Sequence, residues 1–350
     1  MVLTRRAATA ARSIIRWLPN EILSTVAQEL PTADLHVLCL TSRLLRNIAT
    51  PLLYRCVHLP TLSQLKCFLR TMKQRSGASF HSHVHELYAP DKEGSGTYTP
   101  RLLKALTKML CQLSNLDILC ILFAHPAAFT ELLEHGFFPR LTVFLYTIQP
   151  ETATAVASFL NRHTTITDLT LLFTERVDLP GPITLPQLVH MNIPNHCFSS
   201  FDLDGVSLEA LSIVLLPFDA DITPTLPLFH AMSRLTRFTL LSAVEHLDDA
   251  TELHKIIAHL SHLRRVKIRR VAGNLGNITW AGAVEIAVEL GRFDSLWSVE
   301  LDSVVDQSCD AHKVVNLWGD ACELLIAVKF EERSWRWSPD EEDWINTSFE

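Results

Sequence analysis

LTRFTLLS at residues 235–242 and LRRVKIRR at residues 263–270 share the spacing Leu-x-x-apolar-x-apolar, and that spacing decides the fold. It recurs about ten times: Val84/Leu87/Ala89, Leu116/Leu119/Ile121, Leu141/Phe144/Tyr146, Ile166/Leu169/Leu171, Leu188/Met191/Ile193, Leu208/Leu211/Ile213, Leu235/Phe238/Leu240, Leu263/Val266/Ile268, Leu296/Val299/Leu301 and Leu325/Val328/Phe330. First members lie between 20 residues (Leu188 to Leu208) and 33 residues (Leu263 to Leu296) apart. One such unit cannot bury its own apolar face, whereas stacked units bury a continuous core. The expected fold class is α/β, a solenoid over residues 60–334 with a parallel sheet on its concave face.

Parallel neighbours need a crossover of about a dozen residues. Helix-like segments at 100–111, 127–134, 151–162, 250–260, 281–290 and 311–322 supply it. Between 173 and 208, Pro180, Pro182, Pro186 and Pro194 predict loops in place of helices. Gly94-Ser95-Gly96 reads as a loop.

The chain has 48% apolar and 20% charged residues, enough apolar surface for a large core. Its net charge of −7 argues against a dedicated nucleic-acid binder. Residues 1–16 carry Arg5, Arg6, Arg12 and Arg16 without an acid and read as a flexible basic terminus. Residues 335–350, with Asp340, Glu341, Glu342, Asp343 and Glu350, read as a solvated acidic tail. Eight cysteines with no C-x-x-C pair predict free thiols in a reducing compartment, cytoplasmic or nuclear. No apolar run reaches the roughly 20 residues of a membrane-spanning helix.

Residues 17–59 follow a different rule. Leu18-Pro19 opens a helix carrying Ile22, Leu23, Val26 and Leu30 at helical spacing. After Pro31, Asp34 is the expected N-cap of a second helix with Leu35, Leu38 and Cys39. Thr41 or Ser42 caps a third, carrying Leu44, Leu45, Ile48 and Ala49 and expected to end at Pro51. Three such helices have little core of their own and usually need a partner.

The string LPNEILSTVAQELPTADLHVLCLTSRLLRNIATPLLYRCVHL resembles an F-box in Leu18, Pro19, Glu21, Ile22, Leu23, Leu30, Asp34, Leu35, Leu38, Ser42, Arg43, Arg46, Ala49, Pro51, Leu52, Tyr54, Val57 and Leu59. Val26-Ala27 stands where Ile-Phe is common, and Leu45 where Trp is frequent. With the downstream repeats, the chain resembles the F-box/leucine-rich-repeat architecture. That resemblance implies a substrate-recognition subunit of an SCF-type cullin-RING ubiquitin ligase. The F-box would dock a Skp-type adaptor through Leu18, Pro19, Ile22 and Leu23, and the repeats would bind a protein substrate. The alternative is a leucine-rich-repeat interaction scaffold outside ubiquitination, with the F-box-like helices serving only as an N-terminal cap.

Strand alternation puts the residues between the apolar positions on the concave face. Ile118, Leu122, Val143 and Leu145 would make an apolar patch there. Arg264, Arg265, Lys267, Arg269 and Arg270 look like a phosphate site, but in-register neighbours supply Glu300 to Lys267 and Lys329, and Asp302 to Arg269. One row, Arg237, Arg265 and Ser298, has no acid, so Arg237 and Arg265 are the expected receptors of an acidic or phosphorylated substrate group. Six of the seven tryptophans follow residue 279 and are expected to cover the last edge of the stack.

No Walker, dinucleotide-binding, H-E-x-x-H or G-x-S-x-G string occurs, so no enzymatic activity and no cofactor are expected. His81, His83 and His85 would face one way on an extended segment but have no partner ligands at zinc spacing, and read as loop histidines.

Overall fold

A computed structural model describes residues 18–74, 77–90, 99–122, 126–173, 175–217, 222–223, 225–243, 248–270, 276–306, 309–330 and 333–347. The basic terminus and Gly94–Gly96 lie outside them. Two compact units divide the chain, residues 1–141 and 142–350.

The first unit opens with α1 (Asn20–Gln28), α2 (Thr32–Thr41) and α3 (Arg43–Arg55). Ala27, Leu35 and Ala49 are buried at their centre, with Leu30, Leu38, Cys39, Ile48, Leu52 and Leu53 packed round them. Ser42 caps α3, its hydroxyl accepting from the Leu45 N–H at 3.2 Å. Two expectations are corrected. The cap of α2 is Pro31, with Asp34 in the first turn where its charge suits the helix dipole. Pro51 does not end α3, because Leu52 and Leu53 hold the following turn on the core. Then follow β1 (Cys56–His58), α4 (Leu62–Lys73), a 3-10 turn at Gly77–His83, β2 (Glu86–Pro90), α5 (Pro100–Leu110), β3 (Ile118–Leu122) and α6 (Thr130–His135). β1, β2 and β3 pair parallel in that order.

The second unit runs β4 (Val143–Ile148), α7 (Ala153–Arg162), β5 (Asp168–Phe173), β6 (Ile183–Thr184), β7 (His190–Pro194), β8 (Phe201–Asp202), β9 (Ala210–Leu215) and β10 (Arg237–Ser242). It continues with α8 (Asp249–Leu260), β11 (Arg265–Arg270), β12 (Gly276–Ile278), α9 (Trp280–Leu290), β13 (Ser298–Leu301), β14 (Ser303–Val305), α10 (Ala311–Ala321), β15 (Ala327–Phe330), β16 (Arg333–Ser338) and β17 (Asp343–Asn346). Its large sheet has the order β4-β5-β7-β9-β10-β11-β13-β15-β16-β17, parallel as far as β15. β16 and β17 then run antiparallel. The fold is therefore mixed α/β with a large parallel sheet and an N-terminal three-helix module.

The sheet's pairing follows the spacing residue for residue: Leu211 lies opposite Phe238, Phe238 opposite Val266, and Val266 opposite Val299. These side chains are buried, and helices cover that face. Phe159 of α7 meets Phe144 at 4.8 Å, and Trp318 of α10 meets Phe330 edge-on at 6.1 Å. Where Val143 to Ile148 alternate equally apolar residues, Phe144, Tyr146 and Ile148 take the buried side. Val143 and Leu145 in this unit, and Ile118 and Leu122 in the first, are half-buried.

Residues 335–347 do not form a solvated tail. Trp335 pairs opposite Val328 and Trp337 opposite Trp344, a hairpin that closes the end of the sheet. Its acids cluster at the turn, where Glu342 adopts φ 53. Trp344 and Trp318 are buried, and the Trp318 indole N–H donates to the Ala283 carbonyl at 2.9 Å.

The buried His163 stacks on Phe159 at 4.0 Å, its Nδ1 bonded to the Phe159 carbonyl at 2.7 Å. Burial lowers its pKa from the ordinary 6.5; Arg162 adds to the shift and the carbonyl opposes it. The unfolded chain takes up this proton more readily than the folded one, so the contribution of His163 is present above about pH 6.5 and lost as pH falls through the folded value. Replacing His163 with Asn should make the pH dependence of urea unfolding shallower below about pH 6.5. Identical slopes in variant and parent would reject the assignment.

Candidate functional site

The first candidate surface is the outside of the three-helix module. The chain places two apolar lines on α1. Ala27 is buried and Leu30 packs on the bundle's core, Leu23 is half-buried, and Ile22 and Val26 are exposed. Leu18, Ile22 and Val26 are 41%, 49% and 57% exposed; Val37, Leu40 and Leu44 are 56%, 69% and 37% exposed. Six large apolar side chains of one small module are thus left in water, a feature typical of interaction surfaces.

Of the residues expected there, Leu18, Pro19 and Ile22 are exposed and Leu23 is half-buried. Pro19 also works through its backbone, its carbonyl accepting from the Ile22 and Leu23 N–H groups at 3.1 and 3.2 Å. Val26 and Leu44, expected on the helices' apolar stripes, are exposed instead, as are Val37 and Leu40. A signal for them exists: α2 is apolar at Leu35 and from Val37 through Leu40, yet a helix in a three-helix bundle buries one stripe only.

The second candidate lies on the less buried face of the second unit's sheet. Arg237 stands directly opposite Arg265, and Arg265 opposite Ser298, in the expected register. Neither arginine stands alone. One terminal N–H of Arg237 reaches across Ala210 of β9, whose methyl leaves room, to His190 Nε2 at 2.9 Å. His190 Nδ1 bonds Asp168, which also accepts from the Thr167 hydroxyl at 2.7 Å. An arginine can only donate, so His190 Nε2 accepts and Nδ1–H faces the carboxylate. The Arg265 guanidinium sits 5.9 Å from the centre of the Trp297 ring, within cation–π range.

The five-cation run divides by side. Lys267 bonds Glu300 at 2.7 Å and Lys329 reaches the same carboxylate at 3.6 Å. Such partly exposed pairs contribute about 0–1 kcal/mol each. The expected pairing of Arg269 with Asp302 is replaced, since Asp302 accepts from the Arg270 backbone N–H at 3.2 Å. Arg270 is buried against Asp249.

Among the described residues no three His, Cys, Asp or Glu side chains are grouped to hold a metal ion. Cys56 Sγ lies 3.3 Å from His58 Nε2, the spacing of a nucleophile and its base. Burial and the adjacent Glu86 push the Cys56 thiol up to about 11, which keeps it protonated and unreactive at neutral pH. His81 and His83 sit on the 3-10 turn, and His85 bonds Asp117 at 2.8 Å, so the three do not align as on a strand. Among the described residues no helix is long and apolar enough to cross a membrane.

No curated protein matches the chain. Among solved structures it is similar to a chain of "Crystal structure of Rad7 and Elc1 complex in yeast", at TM-score 0.39 and 14% identity, covering 94% of this chain and 93% of that one. Residues 15–55 match the model of the F-box domain. The three helices with their uncovered apolar face fall within that match, and the N-terminal module is an F-box domain.

Proposed function

We propose that the protein is a non-catalytic substrate-recognition subunit of an SCF-type ubiquitin ligase. The observation that carries this reading is the exposed apolar face of an F-box domain, the kind of domain that binds Skp1-like adaptors. Leu18, Pro19, Ile22 and Leu23 engage the adaptor, joined by Val26, Val37, Leu40 and Leu44. The strand units from 60 onward act as a leucine-rich-repeat solenoid, supported by their in-register parallel pairing. The open face of this solenoid binds a protein substrate around Arg237 and Arg265, and the ligase supplies the chemistry while this chain supplies position. Eight free cysteines suit a cytoplasmic or nuclear setting.

Co-expression with a Skp-type adaptor and cullin should yield a stable complex on size exclusion. A chain that remains free of adaptor under these conditions favours the scaffold reading, in which the helices only cap the repeats.

A further inference from the structure

We infer that the strand-entry rim of the last repeats, Trp297, Ile326 and Trp337 with Arg264, Arg265 and Arg336, receives an extended acidic segment of a partner protein that carries a bulky apolar side chain. The inference rests on the proposed role as a substrate receptor and names the chemistry its substrate presents.

The rim is built by the backbone. Trp297 N–H donates to the Arg264 carbonyl at 3.0 Å, Ile326 to Trp297 at 2.9 Å, and Trp337 to Ile326 at 3.1 Å. Neighbouring strands lie about 4.8 Å apart, so these positions follow one another as a continuous ledge. Trp297, Ile326 and Trp337 are 43%, 39% and 36% exposed, although the residues just before or beside them, Leu296, Leu325 and Trp344, are buried. The aromatics near the C-terminus therefore divide: Trp318 and Trp344 close the fold, and Trp297 and Trp337 stay in water. Large apolar side chains grouped in this way mark an interaction surface.

One position along, Arg265, Ser298, Ala327 and Arg336 stand in register. The two short residues leave the guanidinium groups uncrowded on either side. Arg264, Arg265 and Arg336 are exposed, and among the described residues none is paired with a carboxylate. A cavity of about 480 Å³ continues the ledge, lined by Ile326, Arg336, Trp337, Pro339 and Ile345. On the other side of Ile326 and Trp337 a second cavity is lined by Asp320, Glu323 and Glu342. Those carboxylates repel an acidic segment and leave it the arginine side. An arginine fork donates paired hydrogen bonds to a carboxylate, and the apolar ledge supplies the desolvated anchor that hot spots require.

The test selects a random peptide library displayed on phage against the full-length chain, both alone and mixed with its adaptor, in parallel with Arg265→Glu and Trp337→Ala variants. Expected are sequences rich in Asp and Glu around one large apolar residue, with recovery reduced at least about tenfold on both variants. Retained adaptor capture and an unchanged circular dichroism spectrum show that the variants fold, and a milder Arg265→Gln variant should give an intermediate loss. Enrichment of basic or purely apolar peptides overturns the inference, as does equal recovery on parent and variants. Self-association of the chain that both substitutions abolish also overturns it, since a second copy would then be the occupant. Peptide selection without adaptor capture leaves this surface standing and removes the ligase reading; the reverse result removes this surface alone.

Discussion

Replacing Ile22 and Val26 together with Asp should abolish capture of the Skp-type adaptor while leaving the chain folded. Both side chains lie on the outer line of α1, one turn apart and about half exposed. Neither belongs to the bundle's core, which is Ala27, Leu35 and Ala49 with their surrounding leucines. Covering an apolar side chain of this size gains about 1.5–3 kcal/mol, and placing a carboxylate in the same interface adds a desolvation cost. The double substitution is therefore expected to weaken binding by more than about 100-fold, as measured by calorimetry with purified adaptor. Stability to urea should move by less than about 0.5 kcal/mol, as for other exposed sites. Undiminished capture would mean that the adaptor does not use this face. The control is Ala27→Asp, which buries a charge in the bundle and should lose adaptor binding through unfolding of the module.

Arg270→Ala is expected to cost about 3–5 kcal/mol of stability, the usual penalty for removing one member of a buried ion pair. The Arg270 and Asp249 side chains are only 3% and 6% exposed and meet at 2.8 Å. Arg270 also donates to the Ser303 hydroxyl at 2.6 Å and the Asp302 carbonyl at 2.8 Å, and Ser303 donates to Asp249 at 2.5 Å. The cluster ties the start of α8 to the end of β11 and the start of β14. Burial pushes the Asp249 carboxyl up from its ordinary range, while Arg270 and Ser303 hold it back; without Arg270 the Ser303 hydroxyl alone opposes the burial cost. Urea denaturation measures the loss, and a change below about 1 kcal/mol would show that water or another cation replaces the guanidinium. Arg270→Met combined with Asp249→Leu should recover much of the loss, because an apolar pair carries no unpaired charge.

Much of this arrangement was legible from spacing. The Leu-x-x-apolar-x-apolar units set which side chains face the helices, and one slipped residue would expose them all. That constraint is strong enough to place Arg237 opposite Arg265, and Lys267 opposite Glu300, from the chain alone. The crossover helices were legible for the same reason: α8 begins at Asp249 and α10 at Ala311, within one residue of expectation. The F-box was legible because its residues recur as a string.

The partners of polar side chains were not legible. Arg237 reaches His190 across 47 residues of chain, and only the methyl of the intervening Ala210 permits it. Within one run of cations, Arg264 and Arg265 stay in water, Lys267 pairs across strands and Arg270 is buried. Charge is the same in each, and what differs is the neighbour that the strand ends bring near. The module's centre likewise turned on Ala27 and not Val26: Ala27 is buried with Leu35 and Ala49, while Val26 is exposed.

The sequence by itself thus determined the strand register, the helix positions and the F-box domain, since each follows from periodic burial or a contiguous motif. Only the tertiary structure decided which apolar residues stay uncovered, which arginines keep their charge in water, and that the C-terminal segment closes the sheet as a hairpin. Those outcomes depend on contacts between residues far apart in the chain, and local spacing carries no record of them.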